Sequence, residues 1–406
     1  MHNQNLNYDP QDPEVIQRPL DTLLRLQAEE PVHWSPALKG WVLTRHEDVK
    51  AVQMNSGISA DRLTPFFESQ PGGEQDRLRD LVLYLNTWVA FKDPPDHGRL
   101  RGLLNKVVTP SVMAGLEDGI TEIADGLLDK IAARGGGRFE CIGEFANPLP
   151  ASVIMDLLGV PREDMDLLRD WSMMLQPFLG NARASEDKYE TGRAGILAMA
   201  EYFRDAAADR RRSARTDVIS HFVSLQQNGQ ISEDELTGSC ILFLFAGHET
   251  TTNLIGNGIR ALLANPDQKA LLAADPGLIA SAVEEMLRFE GPTGAVVRLV
   301  KSPFELGGKT LREGDRVFAM VHAANHDPRV FDAPEQFDIR RSPNRHLTFN
   351  HGAHFCLGAP LARAEARIAI SRLFARFPNV AMATDTVTYM DTLTMRGVRE
   401  MWMVTE

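Results

Sequence analysis

The chain has 406 residues, of which 43% are hydrophobic and 24% charged, with a formal net charge of −12. This is the composition of a folded protein with a large buried core, and no stretch shows the low-complexity bias of a disordered tail. The negative balance argues against nucleic acid and anionic membranes as partners, since both demand a positive surface. Three scattered cysteines, Cys141, Cys240 and Cys356, are too few for a disulfide framework and fit a reducing compartment. The polar, acidic start MHNQNLNYDPQDPEV has neither the basic flank nor the apolar stretch of a signal peptide. The longest apolar run, Cys240 to Gly247, is far short of the roughly 20 residues that span a bilayer. A cytoplasmic protein is expected.

In chain order, PVHWSP and GWVLTR read as two short strands about a turn with Pro36 and Gly40. From Pro110 to about Arg134, Val112, Leu116, Ile120, Ile123, Leu127, Leu128 and Ile131 recur at helical spacing. Gly135 to Gly137 lack the following Lys-Ser/Thr of a phosphate cradle and read as a loop. Arg210, Arg211, Arg212 and Arg215 read as a solvated helix end. A helix is predicted from Glu233 to Leu263, opened by Ser232 and Glu235 at capping-box spacing and closed by Asn265-Pro266. The stretch FELGGKTLREGDRVFAMV, Phe304 to Val321, reads as a hairpin turning at Gly307-Gly308. Helices dominate, with small sheets as satellites. No repeat or linker divides the chain, so residues 1–406 are expected to form a single mainly α domain.

The segment FNHGAHFCLGAPLAR, Phe349 to Arg363, places Cys356 after a Gly-bearing loop and just before a helix. Unpaired N–H groups and the positive end of a helix dipole favour a thiolate there, suited to metal ligation or nucleophilic attack. A lone cysteine also serves as a small buried hydrophobe. Zinc is a further reading, because His351 and His354 are close by, but the usual ligand pairs are missing.

Phe349, Gly352, His354, Cys356, Gly358, Leu361, Ala362 and Arg363 resemble, position for position, the haem-binding signature of the cytochrome P-450 family. The resemblance implies haem b held between a long central helix and the cysteine loop, with Cys356 as the thiolate ligand to iron. Phe349 would shield the sulfur, and Gly358 would allow the helix to approach the porphyrin. Three further patterns agree with the family. FAGHETT matches the oxygen-binding notch, which implies that Thr250 holds dioxygen, Glu249 belongs to a proton relay, and Ala246 and Gly247 face the cofactor. EEMLR supplies Glu285 and Arg288, three apart on one helix face. In the family this pair is buried, and its third partner here is expected to be Arg341, with Gln336 at the other candidate position. His97, Arg101, Arg298 and His354 resemble the clamp on the haem propionates, which need charged or hydrogen-bonding partners when buried.

The resemblance therefore implies a monooxygenase that inserts one oxygen atom of O2 into a hydrophobic small molecule. The motifs consume the chain, so electrons from NAD(P)H would arrive through a separate ferredoxin and ferredoxin reductase. Arg99, Lys106, Arg345 and Arg367 would form the docking patch on a monomeric enzyme. The substrate pocket is expected from Trp88, Val89, Phe178, Leu242, Ala295, Val296, Val297, Leu393 and Met395, with Thr293 and Thr394 as polar anchors. A peroxide-driven peroxygenase, or a haem-binding sensor or carrier, is the alternative; neither needs the pair Glu249 and Thr250.

Overall fold

The computed structural model describes residues 7–108, 110–134, 137–180, 187–384 and 386–405. Of the loop expected at Gly135 to Gly137, Gly135 and Gly136 lie outside the described residues, and Gly137 starts a strand. Two compact units make up the chain. One comprises the chain up to Ser59, Ala124–Asn147 and the chain from Thr250 onward; the other comprises Ala60–Ile123 and Pro148–Glu249.

The first unit holds the sheets. Its strands include β1 (Val32–Ser35), β2 (Gly40–Leu43), β3 (Ile58–Ser59), β4 (Gly137–Glu140), β5 (Val296–Val300), β6 (Phe304–Leu306), β7 (Lys309–Leu311) and β8 (Arg316–Ala319). The main sheet runs β1-β2-β8-β5-β3. Side chains alternate across a strand, so neighbouring residues enter different cores. Val42, Val297 and Phe318 pack with Tyr8, Leu23 and Leu26 on one face, while Leu43, Val296 and Val317 pack with Val49 and Val52 on the other. The hairpin expected over Phe304 to Val321 stops at Leu311. After β6 and β7 the chain turns at Gly314, where φ is +84°, and β8 joins the main sheet parallel to β2. Backbone hydrogen bonding to β2 and β5 captures Arg316–Ala319, a tertiary pairing that local turn signals do not carry.

The second unit is helical, with Gly72–Leu85, Pro148–Leu158, Met165–Met173 and Lys188–Arg212 among its longer elements. Arg210, expected on a solvated helix end, is buried. It pairs with Asp217 at 3.0 Å and donates to the carbonyl of Gly159, which satisfies the charge internally.

The boundary between the units falls within the longest helix, Glu233–Ala264. Its start is a capping box: Glu235 N donates to Ser232 Oγ at 3.0 Å, and Ser232 N donates to Glu235 Oε2 at 2.8 Å. Among the described residues no helix is long and apolar enough to cross a membrane.

Candidate active site

The cysteine loop is built by two left-handed residues, Asn350 (φ +62°) and Gly352 (φ +72°), followed by the turn Gly352–His354. Cys356 N donates to the carbonyl of Phe349 at 2.8 Å, closing the loop just ahead of the helix Ala359–Arg376. The cysteine therefore faces the N-terminal end of a helix of 18 residues. The other two cysteines are buried, and burial pushes both thiols well up, so they stay protonated; Cys356 is partly exposed. A Cβ placed on Gly358 would meet only the Cys356 sulfur, at 4.0 Å, so this position keeps the space beside the sulfur clear.

Phe349, buried at the base of the loop, is enclosed by Phe355 (ring centroids 6.3 Å apart), His346 (5.9 Å) and the guanidinium of Arg363 (4.6 Å above the ring). Arg363 is held in turn by Glu284, through Nε at 2.6 Å and an Nη2 contact at 2.9 Å. His346 Nε2 lies 3.2 Å from the same carboxylate. Burial favours the protonated carboxyl, but the hydrogen bonds and charge of Arg363 and His346 outweigh it and hold the Glu284 pKa down at about 2.

Next to Glu284, Glu285 and Arg288 are both fully buried. Arg288 Nε and Nη2 each donate to the Glu285 carboxylate at 2.8 Å. Arg341 Nε reaches it at 3.1 Å, Asn344 Nδ2 at 3.0 Å and Asp338 N at 3.0 Å. Gln336 contributes only its backbone carbonyl, which accepts from Arg288 at 2.9 Å and Arg341 at 3.2 Å. The carboxylate is saturated with donors, the condition under which a buried ion pair fixes geometry without a large net cost.

In the long helix the sequence-predicted acid meets a different environment. Glu249 is 9% exposed, and its partner is the neutral amide of Gln176, whose Nε2 donates to Glu249 Oε2. Burial dominates over that hydrogen bond and raises the pKa from 4.5 to about 7. His248 is turned back onto its own helix, with Nδ1 2.8 Å from the carbonyl of Leu244, and burial keeps it neutral. Ala246 is exposed, and Gly247 and Thr250 are partly so. A Cβ on Gly247 would fall 2.7 Å from Ile154 Cδ1, so a larger residue here would make the Ile154 side chain shift on the helix Pro148–Leu158.

His97 and Arg101 lie four residues apart on the helix Asp96–Leu104 and share a face; His97 is buried. Arg298 sits on β5, where an Nη1 contact to Val297 O measures 2.9 Å, and His354 ends the loop turn. Trp88 stacks on Phe91 at 6.0 Å and meets Phe245 at 5.3 Å, and Val89 beside it is buried. Trp88 Nε1 is buried without a protein partner and is a donor available to a bound group. Phe178 meets Phe66 and Tyr189, each at 6.0 Å, and Leu242 is partly exposed. Ala295, Val297 and Leu393 share one cluster, but Val296 does not join them: strand alternation turns it to the opposite face of the sheet. The Thr293 hydroxyl is committed to the carbonyl of Thr348 at 3.2 Å, and Thr394 is partly exposed. Arg99 is paired with Glu235 and with Asp96.

A sequence model of the family described as Cytochrome P450 matches residues 151–275 and 277–398. The chain belongs to the cytochrome P450 family. "Biotin biosynthesis cytochrome P450" of Bacillus subtilis (strain 168) is 36% identical over 390 residues, covering 96% of each chain. "Vitamin D(3) 25-hydroxylase" of Pseudonocardia autotrophica is 38% identical over 392 residues, covering 95% of this chain and 93% of that one. Among solved structures, P450BioI in complex with hexadec-9Z-enoic acid ligated Acyl Carrier Protein superposes with a TM-score of 0.90 at 34% identity, over 97% of this chain and 99% of the other. The chain is thus a P450 monooxygenase with the P450 fold, and it carries haem on a cysteine thiolate.

The residues present fit that cofactor. Cys356, partly exposed while Cys141 and Cys240 are buried, can present a single thiolate to iron, and the buried, unpartnered Trp88 Nε1 can donate to a bound group. Gln176, Glu284 and Asn344 are the functional-site neighbours that the sequence pattern did not single out. Each acts across 59 to 79 residues of chain, where no local spacing signals the contact.

Proposed function

We propose that residues 1–406 form one cytoplasmic haem domain that hydroxylates an apolar small molecule, with Cys356 as the thiolate ligand and a ferredoxin with its reductase as the electron source. The observation that carries this reading is the loop in which Cys356 N bonds to Phe349 O ahead of a helix N-terminus while the other two cysteines are sealed and protonated. When bound, haem supplies the activation of dioxygen through which a C–H bond is oxidised.

The chain's own residues take the remaining tasks. Phe349 and Arg363 cover the loop, limiting water at the sulfur. His97, Arg101, Arg298 and His354 would hold the propionates by charge-assisted hydrogen bonds, with Trp88 Nε1 as a further donor. Each insertion consumes two electrons and two protons, and the second oxygen atom leaves as water. Glu249, half-protonated near pH 7, is suited to pass protons inward, and Thr250 beside it to accept and orient them. Trp88, Phe178 and Leu242 would line an apolar pocket. The names of the relatives motivate hexadec-9Z-enoic acid and vitamin D3 as first substrates.

Purified holoprotein tests this reading through its carbon monoxide difference spectrum and through Soret titrations with these two compounds. A thiolate-type spectrum that Cys356→Ala abolishes, and that Cys141→Ala and Cys240→Ala preserve, is expected. Retention of that spectrum in Cys356→Ala would refute the ligand assignment. Turnover with NAD(P)H that needs both redox proteins is expected; equal turnover with peroxide alone would establish the peroxygenase instead.

A further inference from the structure

Gln176 opens a four-residue helix, Gln176–Leu179, between Met165–Met173 and Lys188–Arg212. The backbone of this turn is tied down: Gln176 O accepts from Gly180 N at 2.8 Å, and Phe178 is wedged between Phe66 and Tyr189. From that anchored position the side-chain amide donates to Glu249 Oε2. A buried glutamate without a partner would sample several rotamers, and the hydrogen bond selects one of them.

We propose that Gln176 is the positioning residue for Glu249, holding its carboxyl in the single orientation from which it passes a proton toward the oxygen atom that leaves as water. The inference rests on the assignment of Glu249 to proton supply. The neutrality of the amide matters. A Lys or Arg at this place would favour the ionised carboxylate, as Arg363 does with Glu284, whereas the amide leaves both protonation states accessible. The neighbouring charged and titratable groups leave this arrangement intact. His248 is neutral and engaged with Leu244 O, and Arg169 is taken up by Asp166 at 3.0 Å and Asp170 at 3.2 Å. Gln176 and Phe178 share one turn, so the amide that holds the acid is built on the same element as a wall of the candidate pocket.

The test compares wild type, Gln176→Met, Gln176→Glu, Glu249→Gln and the double variant Gln176→Met/Glu249→Gln as holoproteins. Two readouts are taken: the infrared carbonyl band of the protonated Glu249 carboxyl, identified by its loss in Glu249→Gln, and NAD(P)H oxidation partitioned between water and peroxide. The second is measured with hexadec-9Z-enoic acid and without it. Gln176→Met is expected to shift the band to higher frequency, slow oxidation roughly tenfold and raise the peroxide share, the effect of losing one hydrogen bond to an ionisable group. Gln176→Glu, sharing a proton between two carboxyls, is expected to move the band the other way and also slow oxidation. The double variant should be no slower than Glu249→Gln alone, because Gln176 acts through Glu249. An unmoved band in both Gln176 variants, or independent multiplication of the two effects, would overturn the role of Gln176. Unchanged rate and peroxide share in Glu249→Gln itself would instead overturn the assignment of Glu249 beneath it, a result the infrared band distinguishes.

Discussion

Glu249, buried, and Glu284, about a third exposed, are the same residue type on helices, and their proton affinities have been driven in opposite directions. Glu284 faces a bidentate Arg363 and His346 and is held at about 2; Glu249 faces one amide and is raised to about 7. Both feel desolvation that favours the acid, so the sign is decided by whether the partner is a cation. The first carboxylate is a permanent charge suited to bracing the cysteine loop. The second is a group that gains and loses its proton near neutrality. Glu285 is fully buried, and three side chains and a backbone amide saturate it.

The sharpest way to break the comparison is to remove a cation from a saturated site. Arg288→Met leaves the Glu285 carboxylate buried and underpaired, and a loss of about 3–5 kcal/mol is expected, read as a large drop in thermal midpoint or in recovery of holoprotein. A loss under about 1 kcal/mol would mean that the remaining donors suffice alone.

The raised acid predicts a pH signature of the opposite kind. Glu249 binds its proton more tightly folded than unfolded, so its contribution to stability is fully present below about pH 4.5 and is lost as the pH rises through about 7. Relative to Glu249→Gln, wild type should therefore lose about 3 kcal/mol between about pH 4.5 and pH 8, measured by denaturant unfolding of the two proteins in parallel. Parallel curves would show that Glu249 titrates normally.

Glu284→Gln addresses the depressed acid. Its stabilisation is present above about pH 4.5 and is lost as the pH falls through about 2. With both partners about a third exposed, solvent screening reduces the expected loss at neutral pH to about 2 kcal/mol. The thiolate spectrum should become less stable to storage as Phe349 loosens; an unaltered spectrum and midpoint would show that the pair is ornamental. At the small end, Arg99→Ala removes an exposed pair with Glu235 and should cost under about 1 kcal/mol, with little effect on the rate of reduction by ferredoxin. A strong drop in that rate would restore Arg99 to the docking surface.

The parts of this molecule that can be read from the chain are those encoded at short range. The capping box at Ser232 and Glu235, the three-residue spacing of Glu285 and Arg288, and the glycine turn ahead of Cys356 each bring together residues within one or two helical turns. Arg341 could be anticipated only through the family pattern, since 56 residues separate it from Glu285. What escaped is tertiary. Nothing near Gln176 announces a partner 73 residues away. Arg210 looks like its exposed neighbours until Asp217 and Gly159 enclose it. Val296 is a different lesson: the two-residue period of a strand was available in the sequence, and it separates Val296 from Ala295 and Val297.

Gly247 has a practical consequence for anyone wishing to retune the substrate range of this enzyme. A methyl group there would meet the Ile154 side chain, so the first effect of substitution is to move that side chain. Ala246, one residue earlier, already carries a Cβ and is exposed. A variant at Gly247 is therefore best made together with a smaller residue at 154, so that the space the new side chain needs is supplied.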